Sequence, residues 1–262
     1  MTVVTTKNND LSRDCFLRVE GLSKKYGNVM ALRDVGLEIP ARGIVGLIGD
    51  NGAGKSTLLK CLSGTIAPDG GRIEIGGRSF AGLTPRESLS CGIAAVYQDL
   101  ALVDELDAAS NIFLGMEPLR LGFILDRGRM YREAVAVLDS LGIALPSVRV
   151  DAGRLSGGQR QAIAIARAVV RGSRSGGRGL ILFDEPTAAM GVRESAAILG
   201  ILSGLRERGY GLLCISHNIP QIFDLADRIC VMRAGEVVWM GDKAATSVER
   251  VLSLLSGVRA DV

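Results

Sequence analysis

The sequence predicts an α/β domain built on a mainly parallel sheet, and three observations carry that expectation. Short apolar runs of strand length recur at 43–48, 93–97, 179–183, 211–215 and 228–232. Helical segments near 192–208 and 218–226 alternate with the later runs, and that alternation favours parallel pairing. The compact run at 43–48 ends in a glycine-rich turn that opens an apolar helix, as a buried strand feeding a binding loop does.

Residues 1–14 are polar and read as a tail. Short strands are expected at 16–20 and 35–39, separated by a turn-rich segment. The strand at 43–48 leads to a helix over 55–63. Another strand, 72–75, is closed by Gly76-Gly77, and the strand at 93–97 ends at Gln98. From about 107 to 145 the pattern is helical. It is clearest over 126–141, where Met130, Ala134, Val137, Leu138 and Leu141 recur at helical spacing. Residues 159–170 read as a further helix. This insert, about 100–165, splits the α/β core in sequence and forms a subdomain. Arg171 to Arg178 has the composition of an exposed loop. One domain is expected over 15–245, followed by a short helix or tail over 246–262.

The chain has 262 residues, 47% of them hydrophobic and 23% charged, which suits a globular protein with a substantial core. A formal net charge of +3 and the absence of a basic run with interleaved aromatics argue against a nucleic-acid partner. No apolar run has the roughly 18–20 residues needed to span a bilayer, and the first twenty residues lack a secretory core. The five cysteines, Cys15, Cys61, Cys91, Cys214 and Cys230, are scattered without a CxxC pair. They read as small, buried, reduced thiols in the cytosol. Service to a membrane would then run through a partner.

The turn Gly49-Asp50-Asn51-Gly52-Ala53-Gly54-Lys55-Ser56-Thr57 fits GxxxxGK[ST]. Its glycines let backbone N–H groups converge on a phosphate, and the following helix adds its positive end. Lys55 supplies charge for the β- and γ-phosphates, and the Ser56 hydroxyl can ligate Mg²⁺. Asp184 ends the apolar run Leu180-Ile181-Leu182-Phe183, at the edge where ligands sit in open α/β folds. It is expected to hold the metal through water, and the adjacent Glu185 is free to orient or deprotonate an attacking water.

Together with Leu155-Ser156-Gly157-Gly158-Gln159, about a hundred residues downstream of the turn, these motifs resemble one family, the ATP-binding cassette (ABC) ATPases. The resemblance covers about 16–241. It implies a P-loop NTPase core with a mainly parallel sheet, an N-terminal antiparallel β portion and an inserted α-helical subdomain carrying the signature. It implies ATP and Mg²⁺ as cofactors and Glu185 as the residue acting on water. It also matches Gln98 to the glutamine that touches Mg²⁺ or the attacking water, His217 to the histidine that contacts the γ-phosphate, and Tyr26 to the aromatic stacked on adenine. Ser156, Gly157, Gly158 and Gln159 would close over a nucleotide held by a second ABC ATPase subunit in a head-to-tail dimer, a homodimer or a pairing with another cassette.

After Glu185-Pro186-Thr187-Ala188-Ala189 the family usually has Leu-Asp, whereas this chain has Met190-Gly191. That change removes a carboxylate expected at the dimer interface. Segments around Tyr97-Gln98-Asp99, Asn111-Ile112-Phe113-Leu114-Gly115 and Ser216-His217-Asn218 resemble bacterial simple-sugar importers of the fructose/ribose-like class. The resemblance thus implies an ATP-hydrolysing subunit of a monosaccharide importer at the cytoplasmic face of the inner membrane. Its partners would be transmembrane permease subunits and, through them, a solute-binding protein. An importer of another small solute, such as branched-chain amino acids, is the alternative within transport. A non-transport ABC ATPase or an ATP-binding regulator is the alternative outside it.

Overall fold

One sheet with both faces buried organises the structure, a computed structural model that describes residues 15–173 and 179–257. The tail expected over 1–14 and most of the Arg171–Arg178 loop lie outside the described residues. The described chain opens with β1 (Cys15–Tyr26) and β2 (Val29–Pro40), then runs through β3 (Gly43–Gly49) into α1 (Lys55–Leu62). β4 (Gly70–Ile75), β5 (Arg78–Phe80), α2 (Pro85–Ser90) and β6 (Ile93–Val96) follow. Next come α3 (Ala108–Phe113), the two-residue strands β7 (Leu119–Arg120) and β8 (Ile124–Leu125), α4 (Arg127–Ser140) and α5 (Gly157–Gly172). The chain then alternates β9 (Leu180–Asp184), α6 (Val192–Glu207), β10 (Gly211–Ile215), α7 (Ile219–Leu225) and β11 (Arg228–Arg233). It closes with β12 (Glu236–Asp242) and α8 (Val248–Ser256).

The main sheet has the order β12-β11-β3-β10-β9-β6, parallel throughout except for the β11–β12 pair. A second, antiparallel sheet has the order β2-β1-β4-β5. Successive strand side chains point to opposite faces, and here each face has its own cover. Ile44, Ile48, Val96, Phe183 and Leu212 pack with Ile112, Ile163, Leu202 and Ile222 of the helices. Val45, Leu47, Ile93, Leu182 and Ile215 pack instead with Leu58 and Leu62 of α1 and with Leu17, Leu32 and Ile73 of the antiparallel sheet. Parallel strands buried on both faces read as continuous apolar runs, the signal that the sequence carries.

The antiparallel N-terminal portion and the mainly parallel core agree with the sequence expectation, and several details differ. The expected strands at 16–20 and 35–39 are parts of one long hairpin, and the intervening residues pair through register shifts at Val19/Leu22 and Leu22/Lys24. Such bulges add unpaired residues that break the alternation a strand shows in sequence. The stretch 107–145 is not helical throughout: α3 ends at Phe113, and the β7–β8 hairpin precedes α4. Asp126 caps α4, its side chain accepting from the Arg129 N–H at 2.9 Å. Cys61, Cys214 and Cys230 are buried, whereas Cys15 and Cys91 are only half-buried. Burial pushes the Cys61 thiol up to about 11 and Cys230 up to about 12, which keeps both unreactive. Among the described residues no helix is long and apolar enough to cross a membrane.

Helix α7 sits directly on β3 at Gly46. A Cβ there would overlap Ile222 Cγ2 and stand 3.2 Å from Ala226 Cβ. Gly46→Ala therefore forces α7 off the sheet and is expected to cost about 1–3 kcal/mol. Urea unfolding checks this; an unchanged midpoint would contradict the close α7–β3 contact.

Candidate functional site

Parallel register brings four strand ends to one level. Leu47 of β3 pairs with Ile215 of β10, Ile215 with Asp184 of β9, and Phe183 of β9 with Val96 of β6. One or two residues further on, Gly49, His217, Glu185 and Gln98 leave the sheet side by side at its C-terminal edge.

The glycine-rich turn between β3 and α1 is held tightly against its neighbours. Gly54 has φ +101, and a Cβ there would overlap the Ala31 carbonyl oxygen of β2. No larger residue fits that conformation and space. The Gly235 N–H donates to the Ala53 carbonyl at 3.1 Å, fixing the turn from the other side. Gly54 offers α1 no side-chain cap, so the first-turn N–H groups are available to an anion.

Lys55 is only 7% exposed, and its Nζ donates to the carbonyls of Gly49 at 2.6 Å and Asp50 at 2.9 Å. Burial pulls its pKa down, while the carboxylates of Glu185, Asp184 and Asp50 oppose that shift. Asp184 is buried as well, and the Ser56 hydroxyl donates to its Oδ1 over 3.4 Å. Burial holds the Asp184 carboxyl above the usual range; the Ser56 hydrogen bond opposes this, Glu185 adds to it and Lys55 opposes it.

Glu185 adopts φ +53, uncommon for a residue with a side chain, and its N–H donates to the Ile215 carbonyl at 3.0 Å. This backbone strain is worth about 1–3 kcal/mol. It turns the Glu185 carboxylate toward β10, where Oε2 lies 2.9 Å from His217 Nδ1. With Nδ1 facing the carboxylate, Nε2 is the nitrogen left for another group. The turn beyond Glu185 is fixed by the Thr187 hydroxyl, which donates to Gln221 Oε1 at 2.6 Å.

Gln98 and Tyr26 are exposed. The Lys24 ammonium lies 5.8 Å from the centre of the Tyr26 ring. Among the described residues no hydrogen bond joins Gln98, Tyr26 or the stretch Ser156–Gln159 to the glycine-rich turn. The signature forms the exposed start of α5. The Ser156 side chain accepts from the Gln159 N–H at 3.3 Å, and the Gln159 side chain accepts from the Ser156 N–H at 3.0 Å. Arg160 braces this end, bonding to the Ala152 carbonyl at 2.9 Å and pairing with Asp104 at 2.6 Å.

The departure at Gly191 has a local consequence. Gly191 is the N-cap of α6 and supplies no side-chain cap. A Cβ there meets nothing within 4 Å, so space does not exclude an aspartate.

The donor set fits a small divalent cation. Ser56 and Asp184 set two hard oxygens face to face across a long hydrogen bond, and the Asp184 carboxyl is buried. Among the described residues no group of three or more His, Cys, Asp or Glu could hold a metal. A cation here would rely on these two residues, water and the ligand's own phosphates, the usual manner for Mg²⁺. Sequence reasoning reached the motif residues but not the Glu185–His217 link, the Thr187–Gln221 bond or the partners of Tyr97. These contacts join residues about thirty positions apart, and no local pattern announces them.

Comparison with known proteins bears on the family and the fold. The ABC transporter family model matches residues 32–188. The xylose/arabinose import ATP-binding protein XylG of Sulfolobus acidocaldarius is 40% identical over 92% of this chain and 93% of its own length. The fructose import ATP-binding protein FrcA of Rhizobium meliloti is 37% identical over 95% of this chain and 96% of its own. The ribose import ATP-binding protein RbsA 2 of Rubrobacter xylanophilus is 42% identical, but the match spans only 45% of that longer protein. Among solved structures, a nucleotide-free ATP-binding cassette from an ABC transporter superposes with a TM-score of 0.78 at 25% identity, covering 92% of this chain and 95% of the other. A dimeric cassette in a post-hydrolysis state, bound to ADP and Pi, gives 0.73 at 25% identity over 87% and 98%.

The raised Asp184 pKa makes a signed prediction. The folded protein binds this proton more tightly than the unfolded chain, so ionising Asp184 costs stability. That cost is absent below the unfolded pKa of about 4 and complete above the folded value. Asp184→Asn, without nucleotide, is expected to melt higher than wild type at about pH 7, with the gap closing toward about pH 4. Scanning fluorimetry checks this, and a variant less stable at about pH 7 would contradict it.

Proposed function

The chain belongs to the ABC transporter family, and on that premise we propose that it is the ATP-hydrolysing subunit energising an importer of a simple sugar. ATP hydrolysis is the family's activity. The substrate class rests on the near full-length match to the xylose/arabinose and fructose import proteins.

In this reading the residues divide the work as follows. The backbone of Gly49 to Thr57, through Asp50, Asn51, Gly52, Ala53, Gly54 and Ser56, wraps the phosphates. Lys55 moves its ammonium from the Gly49 and Asp50 carbonyls to the β- and γ-phosphate oxygens. Ser56 and Asp184 would hold Mg²⁺, Asp184 through water, with Gln98 placed to reach the metal or the attacking water. Mg²⁺ bound there would supply positive charge to draw electron density off the phosphate oxygens. Glu185 orients the water and takes its proton, and His217 keeps the carboxylate in place while Nε2 meets the γ-phosphate. Tyr26 stacks on adenine.

The signature residues Ser156, Gly157, Gly158 and Gln159 act on the nucleotide of a second copy. Their helix start is another anion site, and one chain does not need two. Nucleotide contacts made only in the closed dimer shift the open–closed equilibrium. The dimer drives permease subunits from the cytoplasmic face of the membrane, and a solute-binding protein communicates through the permease. The sugar itself meets those partners and not this chain.

Glu185→Gln is expected to lower kcat by about 10²–10⁴-fold while ATP affinity stays close to wild type. Lys55→Ala is expected to weaken ATP binding itself. In the native cells Lys55→Ala should abolish uptake of one or a few labelled pentoses or hexoses. Normal entry of every sugar tested, with the variant in place of wild type, would sink the sugar reading.

A further inference from the structure

Three hydroxyls meet at the C-terminal end of α1, away from Lys55 and Ser56. The Tyr97 phenol donates to Ser63 Oγ at 2.7 Å and lies 2.8 Å from Thr65 Oγ1. The Ser63 and Thr65 oxygens are 3.1 Å apart. Ser63 spends its own proton on the Lys60 carbonyl at 3.1 Å. Thr65 is then assigned as donor to the phenol oxygen, so the phenol both gives and receives.

Position 97 lies one residue beyond the last register pair of β6, Val96 with Phe183. Its ring follows Ile93 and Ala95 onto the face that holds Leu58 and Leu62 of α1. Ser63, the C-cap of α1, is buried. The other end of this eight-residue helix carries Lys55 and Ser56, about 12 Å away at the helical rise. Gln98 follows directly and is itself exposed.

We infer that Tyr97 is a positioning residue for Gln98: its phenol ties the loop bearing this glutamine to the helix bearing Lys55 and Ser56. The inference rests on the ATPase reading above. Helix α1 is a stiff strut over two turns. Anchoring Tyr97 at one end refers the place of Gln98 to that of Ser56 at the other. The phenol oxygen is the part that matters, because the ring alone can slide over leucine side chains. Losing it leaves the core packed and frees the start of the Gln98 loop to shift. A displacement near 1 Å costs about 10²-fold in rate, so a partial loosening is worth about tenfold.

The test uses the full chain with MgATP and compares wild type, Tyr97→Phe, Gln98→Ala and the double variant. Tyr97→Phe is expected to bind a fluorescent ATP analogue within about twofold of wild type, because Lys55 and the glycine-rich turn are untouched. Its kcat falls about tenfold, and half-saturation by Mg²⁺ moves to higher concentration. A merely structural role would lower the melting temperature without moving the Mg²⁺ dependence. In the Gln98→Ala background, Tyr97→Phe adds little further loss, since the group it positions is gone. Unchanged kcat and Mg²⁺ dependence overturn the inference, and so does an equal loss with and without Gln98. Should Tyr97→Phe fail to fold, Thr65→Val removes the donor to the phenol from an exposed position and is judged by the same outcomes. Wild type that does not hydrolyse ATP would sink the ATPase reading itself. Active wild type with an unaffected Tyr97→Phe sinks only the role of Tyr97.

Discussion

The parallel register of β3, β10, β9 and β6 is the constraint on which the rest of the structure depends. Both faces of these strands are buried, each against its own set of side chains. A slip of one residue would exchange every side chain between the helices on one side and α1 with the antiparallel sheet on the other. The same register sets Leu47, Ile215 and Asp184 abreast, with Val96 beside Phe183. Packing in the core therefore fixes the relative height of the four loops that leave these strands. Chemistry at the sheet edge inherits its precision from apolar contacts deeper inside.

That edge is electrostatically uneasy. One buried ammonium, Lys55, faces Asp184, Glu185 and Asp50, and burial shifts Lys55 and Asp184 each toward its neutral form. Carbonyls of the glycine-rich turn hold the ammonium, and a hydroxyl at 3.4 Å holds the carboxyl. The strained backbone at Glu185 adds to this store and turns its carboxylate to His217. A site with charges so arranged gains most from a ligand that brings both an anion for Lys55 and a cation for Asp184. MgATP supplies both. The signature starts a helix with its own capping box, which takes up the Ser156 and Gln159 N–H groups and leaves those of Gly157 and Gly158 outside it.

Much of the fold was legible in sequence, because buried parallel strands and helices of several turns leave continuous or periodic apolar patterns. The strands from 43–48 to 228–232 and the helix over 126–141 are of this kind. Elements of two or three residues leave no such pattern, which is why β5, β7 and β8 escaped it. The long β1–β2 hairpin was read as two short strands because its register shifts interrupt the alternation. In the site, motif spacing singled out Lys55, Ser56, Asp184, Glu185 and the signature. It could not disclose that Glu185 sits at positive φ or that His217 meets it, since both facts depend on β9 and β10 being neighbours. The hydroxyls around Tyr97 were silent because only the fold brings the end of β6 to the end of α1.

Gly191 leaves α6 without a side-chain cap, yet the glycine-rich turn and the signature stretch are both present. The most direct measurement mixes two inactive chains, Lys55→Ala and Ser156→Arg, and follows MgATP hydrolysis. Each variant alone ruins both sites of a symmetric dimer. A mixed dimer keeps one site that pairs an intact phosphate loop from one chain with an intact signature from the other. Activity that returns on mixing is the expected result. Activity in either variant alone, or none in the mixture despite dimer formation, would contradict a site shared between two copies.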